Sequence, residues 1–272
     1  MNNLDDLDDL DKIISWYACS TNDCKHKDIY KIFDYNAKGK QLLVQHFNLV
    51  RSEWDEICYS YSWYLLVKNM PINFKFLEIG VYKGRILSLI KLLSDNMQKN
   101  VKIVGVTPLS SDGDKYSLYP NIDYLNEIRK SFEINNLDFN EPSTKIINGF
   151  SQEPNIIDET NKNGMYDIIF IDGCHDYSVV CSDIDNYSKM LNVNGYLVLD
   201  DAAYFVDNPY TEYYDKGKPY YGYIDVGNAI KDMLDNNIHF EYCFTIGHNR
   251  LWKKKVYDES STKYVKEIIQ SN

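Results

Sequence analysis

The sequence predicts an α/β fold in which helices cover a mainly parallel β-sheet, and two patterns support this prediction. After Pro71, short apolar runs alternate with longer amphipathic stretches, which is typical of successive β/α units. The last two apolar runs, 239–247 and 250–255, are separated only by a short polar turn, which predicts an antiparallel hairpin. We therefore expect five parallel strands followed by a hairpin, within one elaborated domain.

The individual elements follow from the order of these runs along the chain. Apolar runs of strand length predict the five parallel strands, at 74–80, 102–107, 144–150, 166–173 and 195–201. The amphipathic stretches between them predict helices that begin near Gly84, Ile122, Glu153 and Ser178, with a further helix over 225–234.

The residues before Pro71 read as an N-terminal helical extension over 1–70. Leu4, Leu7 and Leu10 recur every three residues among aspartates, which predicts an amphipathic helix docked on its neighbour. Apolar and aromatic residues recur at helical spacing over 52–70 and predict a second helix. We expect the sheet to occupy 71–257 and a C-terminal helix to follow at 258–272.

Composition and charge restrict the possible partners. The 272-residue chain has 40 acidic and 29 basic residues and a net charge of −11, which argues against nucleic acid as a substrate. No apolar run approaches the roughly 18 residues of a membrane span. The six cysteines have no C-x-x-C spacing, so we expect reduced thiols instead of a zinc site or a disulfide framework. Without a basic and apolar leader, the chain is expected to be cytoplasmic.

The turn after the first predicted strand is a candidate ligand site. The stretch FLEIGVYKGR places Glu78, Gly80 and Gly84 where a strand gives way to a helix. A glycine there lets a bound ligand approach the backbone closely, so Gly80→Val should block binding and leave the fold intact. The alternative is a turn glycine and a strand-end acid with no ligand. The dinucleotide pattern G-x-G-x-x-G is absent, which disfavours a nicotinamide enzyme.

Acidic residues and a histidine follow the fourth and fifth predicted strands. Asp172 ends the fourth strand, His175 follows three residues later, and Asp200 and Asp201 end the fifth. Parallel neighbouring strands would bring these groups to one sheet edge, where a cation such as Mg²⁺ would offset their repulsion. Alternatively, the aspartates cap turns and helices. We interpret the remaining histidines as surface or packing residues: His26, His46, His239 and His248.

From Pro71 to Lys255 the chain resembles the class I S-adenosylmethionine-dependent methyltransferases, on the strength of the Glu78 to Gly84 turn and the final hairpin. The resemblance implies a Rossmann-like sheet of order 3-2-1-4-5-7-6 with strand 7 antiparallel, and 71–257 as the methyltransferase domain. It implies that S-adenosylmethionine is bound by nine residues: Glu78, Gly80, Tyr82, Gly84, Thr107, Phe150, Ser151, Gln152 and Asp172.

The pattern D-G-x-H-x-Y followed by D-D resembles a subset of that class, the metal-dependent sugar and macrolide O-methyltransferases and their cephalosporin-hydroxylase-like relatives. This resemblance implies that Asp172, Asp200 and Asp201 bind Mg²⁺ and that His175 is the general base, so that His175 and Asp172 are the catalytic pair. The chemistry agrees, because a cation and a nearby imidazole both favour loss of a proton from an alcohol.

One residue departs from the family pattern. The second strand of these enzymes usually ends in an acid that holds the cofactor ribose, whereas here it ends in Thr107. A hydroxyl makes a weaker hydrogen bond than a carboxylate does. Asp112 or Asp114, in the loop that follows, could reach back and replace the missing acid.

A segment rich in aromatic residues follows the fifth strand and predicts the acceptor site. Eight of the twenty residues 204–223 are aromatic, which suits stacking on a sugar ring beneath a lid. Alternatively, these side chains pack on the N-terminal helices or on a second subunit of a homo-oligomer. We therefore predict an O-methyltransferase acting on a hydroxyl of a sugar or sugar-bearing natural product. The alternatives are a catalytically silent binding or scaffold protein on this fold, or a methyltransferase of another small polar acceptor.

Overall fold

The computed structural model describes residues 8–21, 23–50 and 56–256. Four helices come first: α1 (Leu10–Cys19), α2 (Lys25–Lys38), α3 (Gln41–Leu49) and α4 (Ile57–Asn69). The next elements alternate: β1 (Asn73–Ile79), α5 (Arg85–Asn96), β2 (Asn100–Thr107), α6 (Tyr124–Ile134), β3 (Thr144–Asn148), α7 (Pro154–Asn161), β4 (Tyr166–Ile171), α8 (Tyr177–Ser188) and β5 (Leu191–Leu199). The chain continues with β6 (Tyr214–Asp215), β7 (Lys218–Pro219), α9 (Ile224–Met233), β8 (Phe240–Ile246) and β9 (Asn249–Lys254).

The main sheet has seven strands in the order β3-β2-β1-β4-β5-β9-β8. Strands β1 to β5 are parallel, and β9 runs antiparallel to both β5 and β8. This confirms the predicted sheet order and the final hairpin. The chain leaves β1 toward β2 and later returns on the other side of β1 as β4, so a crevice opens at the carboxyl ends of β1 and β4.

The two faces of the sheet carry separate hydrophobic cores. Phe76 of β1 belongs to the core shared with α1 to α6, whereas Leu77 and Ile79 belong to the core under α7, α8 and α9. This alternation follows from the period of two along a strand. Glu78 therefore lies on the same face as Phe76, at the carboxyl end of the strand.

The N-terminal helices are built into the first of these cores. Trp63 of α4 is buried with its ring edge-on to Phe76 and Phe170, at centroid distances of 5.9 and 5.0 Å. Tyr17 of α1 shares a 2.9 Å hydrogen bond with Tyr242 of β8. These contacts join the helices that precede the sheet to both its centre and its edge.

Several predictions about the ends of the chain need correction or fall outside the description. Helices α1 to α4 confirm the predicted N-terminal helical extension. The helix predicted over 52–70 begins at Ile57 in the described residues, and α2 and α3 were not predicted individually. Leu10 begins α1, whereas Leu4, Leu7 and the helix predicted at 258–272 lie outside the described residues.

The predictions about cysteines and membrane spans can also be compared with the structure. All six cysteines are free thiols. Within the described part of the chain, no helix is both long enough and apolar enough to cross a bilayer.

Candidate active site

The turn after β1 holds the backbones of two strands together. Gly80 has φ +97°, and a Cβ on it would lie 1.9 Å from the carbonyl oxygen of Asp172. The expectation that Gly80→Val leaves the fold intact is therefore wrong, because the added side chain would meet the backbone of the β4 end. Gly84 has φ +74° and precedes α5, and a Cβ there would lie 2.8 Å from side-chain atoms of Ile128 and Ser131 of α6.

Glu78 is a buried acid at the end of β1. Only 3% of the residue is exposed, and its Oε2 atom has no hydrogen-bond partner among the described residues. Burial raises the pKa of Glu78 to about 8. A buried carboxyl group without a partner is costly, so this position fits a ligand that brings positive charge.

Apart from Asp172, which follows β4, the other residues predicted to bind the cofactor lie at the carboxyl ends of β1, β2 and β3. Backbone hydrogen bonds tie these ends together, from the Gly80 N–H to the Val106 carbonyl at 2.9 Å and from the Gly149 N–H to the Thr107 carbonyl at 3.0 Å. Thr107, at the end of β2, is buried. Phe150 follows β3 and is 40% exposed.

Three further residues of the predicted cofactor set make contacts within the chain. The ring of Tyr82 lies 5.6 Å from that of Tyr119. The hydroxyl of Ser151 donates to Gln152 Oε1 at 3.3 Å, and the Ser151 carbonyl accepts from the Tyr187 hydroxyl at 2.7 Å. We call the ends of β1, β2 and β3, with the loops that follow them, the cofactor side.

The loop after β2 does not provide the acid expected near Thr107. Asp112 is exposed and accepts a hydrogen bond from the Ser110 hydroxyl. Asp114 Oδ2 instead accepts from both the backbone N–H and the ring Nδ1 of His175, each at 2.7 Å. The suggestion that Asp114 replaces the ribose-binding acid is therefore wrong, because its carboxylate is engaged by His175.

His175 lies between two carboxylates. Its Nδ1 is 2.7 Å from Asp114 Oδ2, and its Nε2 is 3.0 Å from Asp201 Oδ2. Burial acts to lower the pKa of His175, but the hydrogen bonds and charges of these two acids raise it to about 10. Both ring nitrogens are therefore donors here, and His175 can act as a base only after one of the two ion pairs has opened and the ring has lost that proton.

The structure brings Asp172, Asp200 and Asp201 to one edge of the sheet, and we call these three residues the acidic cluster. Backbone hydrogen bonds join the strand ends, from Asp172 N–H to the Ile79 carbonyl and from Asp200 N–H to the Ile171 carbonyl. Burial and the charges of Asp200 and Asp201 raise the pKa of Asp172 well above its usual range. These side chains are thus close enough to repel one another.

His248 is a site residue that the sequence interpretation missed. It is buried in the turn between β8 and β9, with Nε2 3.2 Å from Asp200 Oδ1 and Nδ1 2.9 Å from the Tyr59 hydroxyl. Burial lowers the pKa of His248, but the charge of Asp200 raises it to about 9. Its interpretation as a surface or packing residue was wrong. The predicted strand order could have located it, since that order places the hairpin turn beside the end of β5.

The aromatic segment, residues 204–223, contains side chains that face the site and side chains that face away. The Tyr220 ring lies 5.3 Å from His248, and the Tyr223 ring lies 4.5 Å from His175 and stacks on Tyr116 at 4.4 Å. Tyr214, by contrast, is 57% exposed. Only part of this segment can therefore contact a substrate beside the two histidines.

The segment is held in place by an acid from the N-terminal region, which the sequence analysis also missed. Glu56 accepts hydrogen bonds from the hydroxyls of Tyr30, Tyr59 and Thr211, and from the backbone N–H of Glu212. It thus connects α2 and α4 to the aromatic segment. Through Tyr59 the same network reaches His248 and the acidic cluster.

Comparison with known proteins gives one family match and many structural similarities. Residues 77–202 match a family described as a methyltransferase domain. Uncharacterized protein R132 of Acanthamoeba polyphaga mimivirus is 32% identical over 142 residues, which are 50% of this chain and 57% of that protein. The match thus spans little more than half the length of this relative.

Solved methyltransferase structures share the fold at low sequence identity. SAH-bound PaMTH1 of Podospora anserina is 15% identical with a TM-score of 0.53, over 80% of this chain and 89% of that one. CalS11, a calicheamicin methyltransferase, is 13% identical with a TM-score of 0.52, over 90% of both chains. Residues 77–202 thus match a methyltransferase domain, and the chain shares the fold and the sheet order of these solved methyltransferases.

Proposed function

We propose that this protein is an O-methyltransferase, assisted by a divalent cation, that acts on a hydroxyl of a sugar or sugar-bearing natural product. The observation that carries the proposal is the position of His175, between Asp114 and Asp201 and next to the acidic cluster. CalS11 and the O-methyltransferase NovP, which share the fold, agree with this choice of reaction.

The cofactor side would hold S-adenosylmethionine. When bound, this cofactor supplies a methyl group attached to a positively charged sulfur. The buried carboxyl of Glu78, whose Oε2 has no partner among the described residues, fits a cationic ligand, and the Thr107 hydroxyl would bond the ribose. The partly exposed ring of Phe150 would flank the adenine, with Ser151 or Gln152 bonding its edge. Gly80 and Gly84 would shape the turn, with Tyr82 beside it and Asp172 at the end of the neighbouring strand.

His175 would remove the proton of the acceptor hydroxyl. An alcohol with a pKa far above 7 is a weak nucleophile until this proton is lost. The hydrogen bond from Nδ1 to Asp114 orients the ring, so that Nε2 faces Asp201. Nε2 would receive the acceptor's proton once that ion pair has opened and its own proton has passed to solvent. The acceptor oxygen would then bond to the methyl carbon as the carbon–sulfur bond breaks. Asp114 is thus a positioning residue.

The acidic cluster would hold the cation. Carboxylate oxygens are the ligands that Mg²⁺ prefers, and three neighbouring acids fit a positive ion because it offsets their repulsion. When bound, such an ion supplies positive charge that lowers the pKa of a nearby hydroxyl. Asp201 would then be shared between the ion and His175, which offers one way for the Nε2 ion pair to open.

The acceptor would lie against the inward rings of the aromatic segment. Tyr213, Tyr220 and Tyr223 surround the two histidines, with Tyr220 and Tyr213 at 5.3 and 6.5 Å from the His248 ring. Flat aromatic faces next to polar groups suit the apolar face of a sugar ring. A small-molecule acceptor, without nucleic acid or membrane, agrees with the net charge of −11.

A methyl-transfer screen tests this proposal. Labelled S-adenosylmethionine would be offered with free, nucleotide-linked and natural-product sugars, with Mg²⁺ or with a strong chelator. We expect transfer to a hydroxyl that requires the cation. His175→Gln should lower kcat by about 10²- to 10⁴-fold with unchanged affinity for S-adenosylhomocysteine, whereas His239→Gln, at an exposed position, should have no effect.

The possible failures of this screen have different meanings. Full turnover in the chelator would remove the cation from the reaction and leave His175 as the base. Full turnover by His175→Gln would remove the base. Tight cofactor binding with no transfer to any hydroxyl compound would favour a binding protein on the methyltransferase fold.

A further inference from the structure

We propose that His248 is a cation ligand, together with Asp200 and Asp201, and that the site consequently binds a first-row transition ion such as Mn²⁺ in preference to Mg²⁺. The inference rests on the proposed function only in placing a cation at the acidic cluster. In this arrangement His248 takes the place of Asp172 as the third ligand, and the preferred ion is a transition-metal ion instead of Mg²⁺.

The first support is the distance between the donor atoms. Asp200, Asp201 and His248 each offer one donor atom, and these three atoms all lie within 4.8 Å of one another. His248 Nε2 and Asp200 Oδ1 are 3.2 Å apart. Two neighbouring ligands of an octahedral ion, each about 2.1 Å from the metal, are about 3 Å apart. One ion can therefore be shared by these atoms with only small side-chain movements.

The second support is the way His248 is oriented. Its side chain is only 5% exposed, and its Nδ1 lies 2.9 Å from the Tyr59 hydroxyl. That hydroxyl donates its own proton to Glu56 at 2.6 Å, so its oxygen accepts from the Nδ1–H of His248. Histidines that bind metals usually donate their second nitrogen in this way, which fixes the ring with the other nitrogen toward the ion. Tyr59 and Glu56 thus hold Nε2 facing Asp200.

The ligand types determine the preferred metal. Mg²⁺ favours oxygen ligands and loses its water reluctantly, whereas imidazole is a good ligand for transition ions. For a given mixed nitrogen and oxygen site, affinity rises from Mn²⁺ along the first-row series. Two carboxylates with one imidazole would therefore select such ions over Mg²⁺, and would still accept Mg²⁺ when it is in large excess.

Electron paramagnetic resonance of bound Mn²⁺ tests the ligand directly. The full chain is stripped with a chelator and titrated with Mn²⁺, and electron spin-echo modulation then reports any nitrogen bonded to the ion. We expect one bound Mn²⁺ with nitrogen modulation that changes when histidine is labelled with ¹⁵N. His248→Gln should abolish the modulation and weaken Mn²⁺ binding at least about tenfold, whereas the matched control His175→Gln should keep it.

Two further measurements separate the alternatives. Competition with Mg²⁺ should show at least about tenfold preference for Mn²⁺, and His248→Gln should reduce this preference. Asp172→Asn should keep the nitrogen modulation and most of the Mn²⁺ affinity. If His248→Gln does not fold, His175→Gln carries the test alone, because the other histidines lie away from this cluster. His26 and His46 pair with Tyr17 and Ser88, and His239 precedes β8, at the end opposite the β8–β9 turn.

Each opposite result overturns the inference. The first such result is bound Mn²⁺ that shows no nitrogen modulation. The second is nitrogen modulation that disappears in His175→Gln. The third is a Mn²⁺ site that is lost in Asp172→Asn and intact in His248→Gln. None of them depends on methyl transfer. An oxygen-only site would leave the transferase proposal standing, and an inactive protein with a nitrogen-ligated ion would leave this inference standing.

Discussion

The cofactor side differs from the acceptor side in how its buried acids are paired with positive charge. The acceptor side consists of the ends of β4 and β5, the β8–β9 turn and the aromatic segment. On the cofactor side the buried acid Glu78 has an oxygen with no partner among the described residues. On the acceptor side, His175 is paired with Asp201, and His248 is paired with Asp200. The cofactor side therefore needs positive charge from a ligand, whereas on the acceptor side two imidazole rings offset part of the acidic charge.

The two sides also differ in how far apart their residues lie in the sequence. The cofactor side is built from strand ends and the turns that follow each of them directly. The acceptor side depends on contacts that link His175, Asp201 and His248 to one another's neighbours, to Asp114 of the loop after β2 and to Glu56 before α4. These five residues come from five separate parts of the chain. Local motifs can therefore predict the first side, whereas the second depends on long-range contacts that no short motif contains.

The largest expected effect is on the turn that joins β1 to β4. Gly80→Val should lower the free energy of unfolding by at least about 4 kcal/mol, because its side chain meets the Asp172 backbone. Gly217→Ala is the matched control, since Gly217 has φ +78° with nothing within 4 Å of an added Cβ. It should cost only about 1–2 kcal/mol. Urea denaturation measures both, and a normal midpoint for Gly80→Val would contradict this role of the turn.

Sequence patterns predicted most of the sheet because each strand is a local apolar run with turn residues at its ends. In the N-terminal region the same patterns predicted a helical extension but did not locate α2 and α3, and α2 is packed against α4 through contacts such as that between Phe33 and Tyr61. They also failed for His248, whose partners Tyr59 and Asp200 are far away in sequence. Its role follows only when the predicted strand order is used to place the hairpin turn.

The next largest effect concerns Glu78 and distinguishes a ligand-binding acid from a structural one. Its pKa is raised by burial to about 8, above the unfolded value near 4.5, so the folded state binds the proton more tightly. Its contribution to stability is therefore greatest at low pH and falls as the pH rises from about 4.5 to 8. Glu78→Gln should stabilise the ligand-free protein by about 3 kcal/mol at pH 7, with little gain at pH 4.

The same substitution should weaken cofactor binding if Glu78 faces positive charge. We expect about tenfold lower affinity for S-adenosylmethionine and a smaller loss for S-adenosylhomocysteine, which lacks the positively charged sulfur. Thermal melts and calorimetry measure the two effects, with Glu133→Gln as an exposed control on α6. Higher stability without any loss of affinity would show that Glu78 lies away from the ligand.

A smaller effect is expected on the acceptor side, within the aromatic segment. Tyr213 lies 5.6 Å from Tyr220 and faces His248, whereas its neighbour Tyr214 is 57% exposed. Tyr213→Leu should raise the acceptor KM by up to about tenfold, since aromatic contacts contribute about 0.5–1.5 kcal/mol, and Tyr214→Leu should change it less than twofold. Equal effects of the two substitutions would favour a packing role for the segment, as would a lower melting temperature with an unchanged KM.

The smallest expected effect is that of removing one threonine hydroxyl, on either side of the site. Valine is the substitute because its side chain has the same shape. Thr107 ends β2 and is buried, with its hydroxyl near the Leu109 N–H at 3.4 Å, and Thr211 donates to Glu56 at 3.0 Å. A neutral hydrogen bond contributes about 0.5–1.5 kcal/mol, so Thr107→Val should weaken S-adenosylhomocysteine binding by about two- to tenfold in calorimetry. The acceptor KM should not change. Thr211→Val should do the reverse, because it loosens the aromatic segment and leaves the cofactor side intact. If both substitutions change both constants, the two sides are coupled through the fold. If Thr107→Val changes neither, the ribose is held by other groups, and the threonine at the end of β2 is a packing residue.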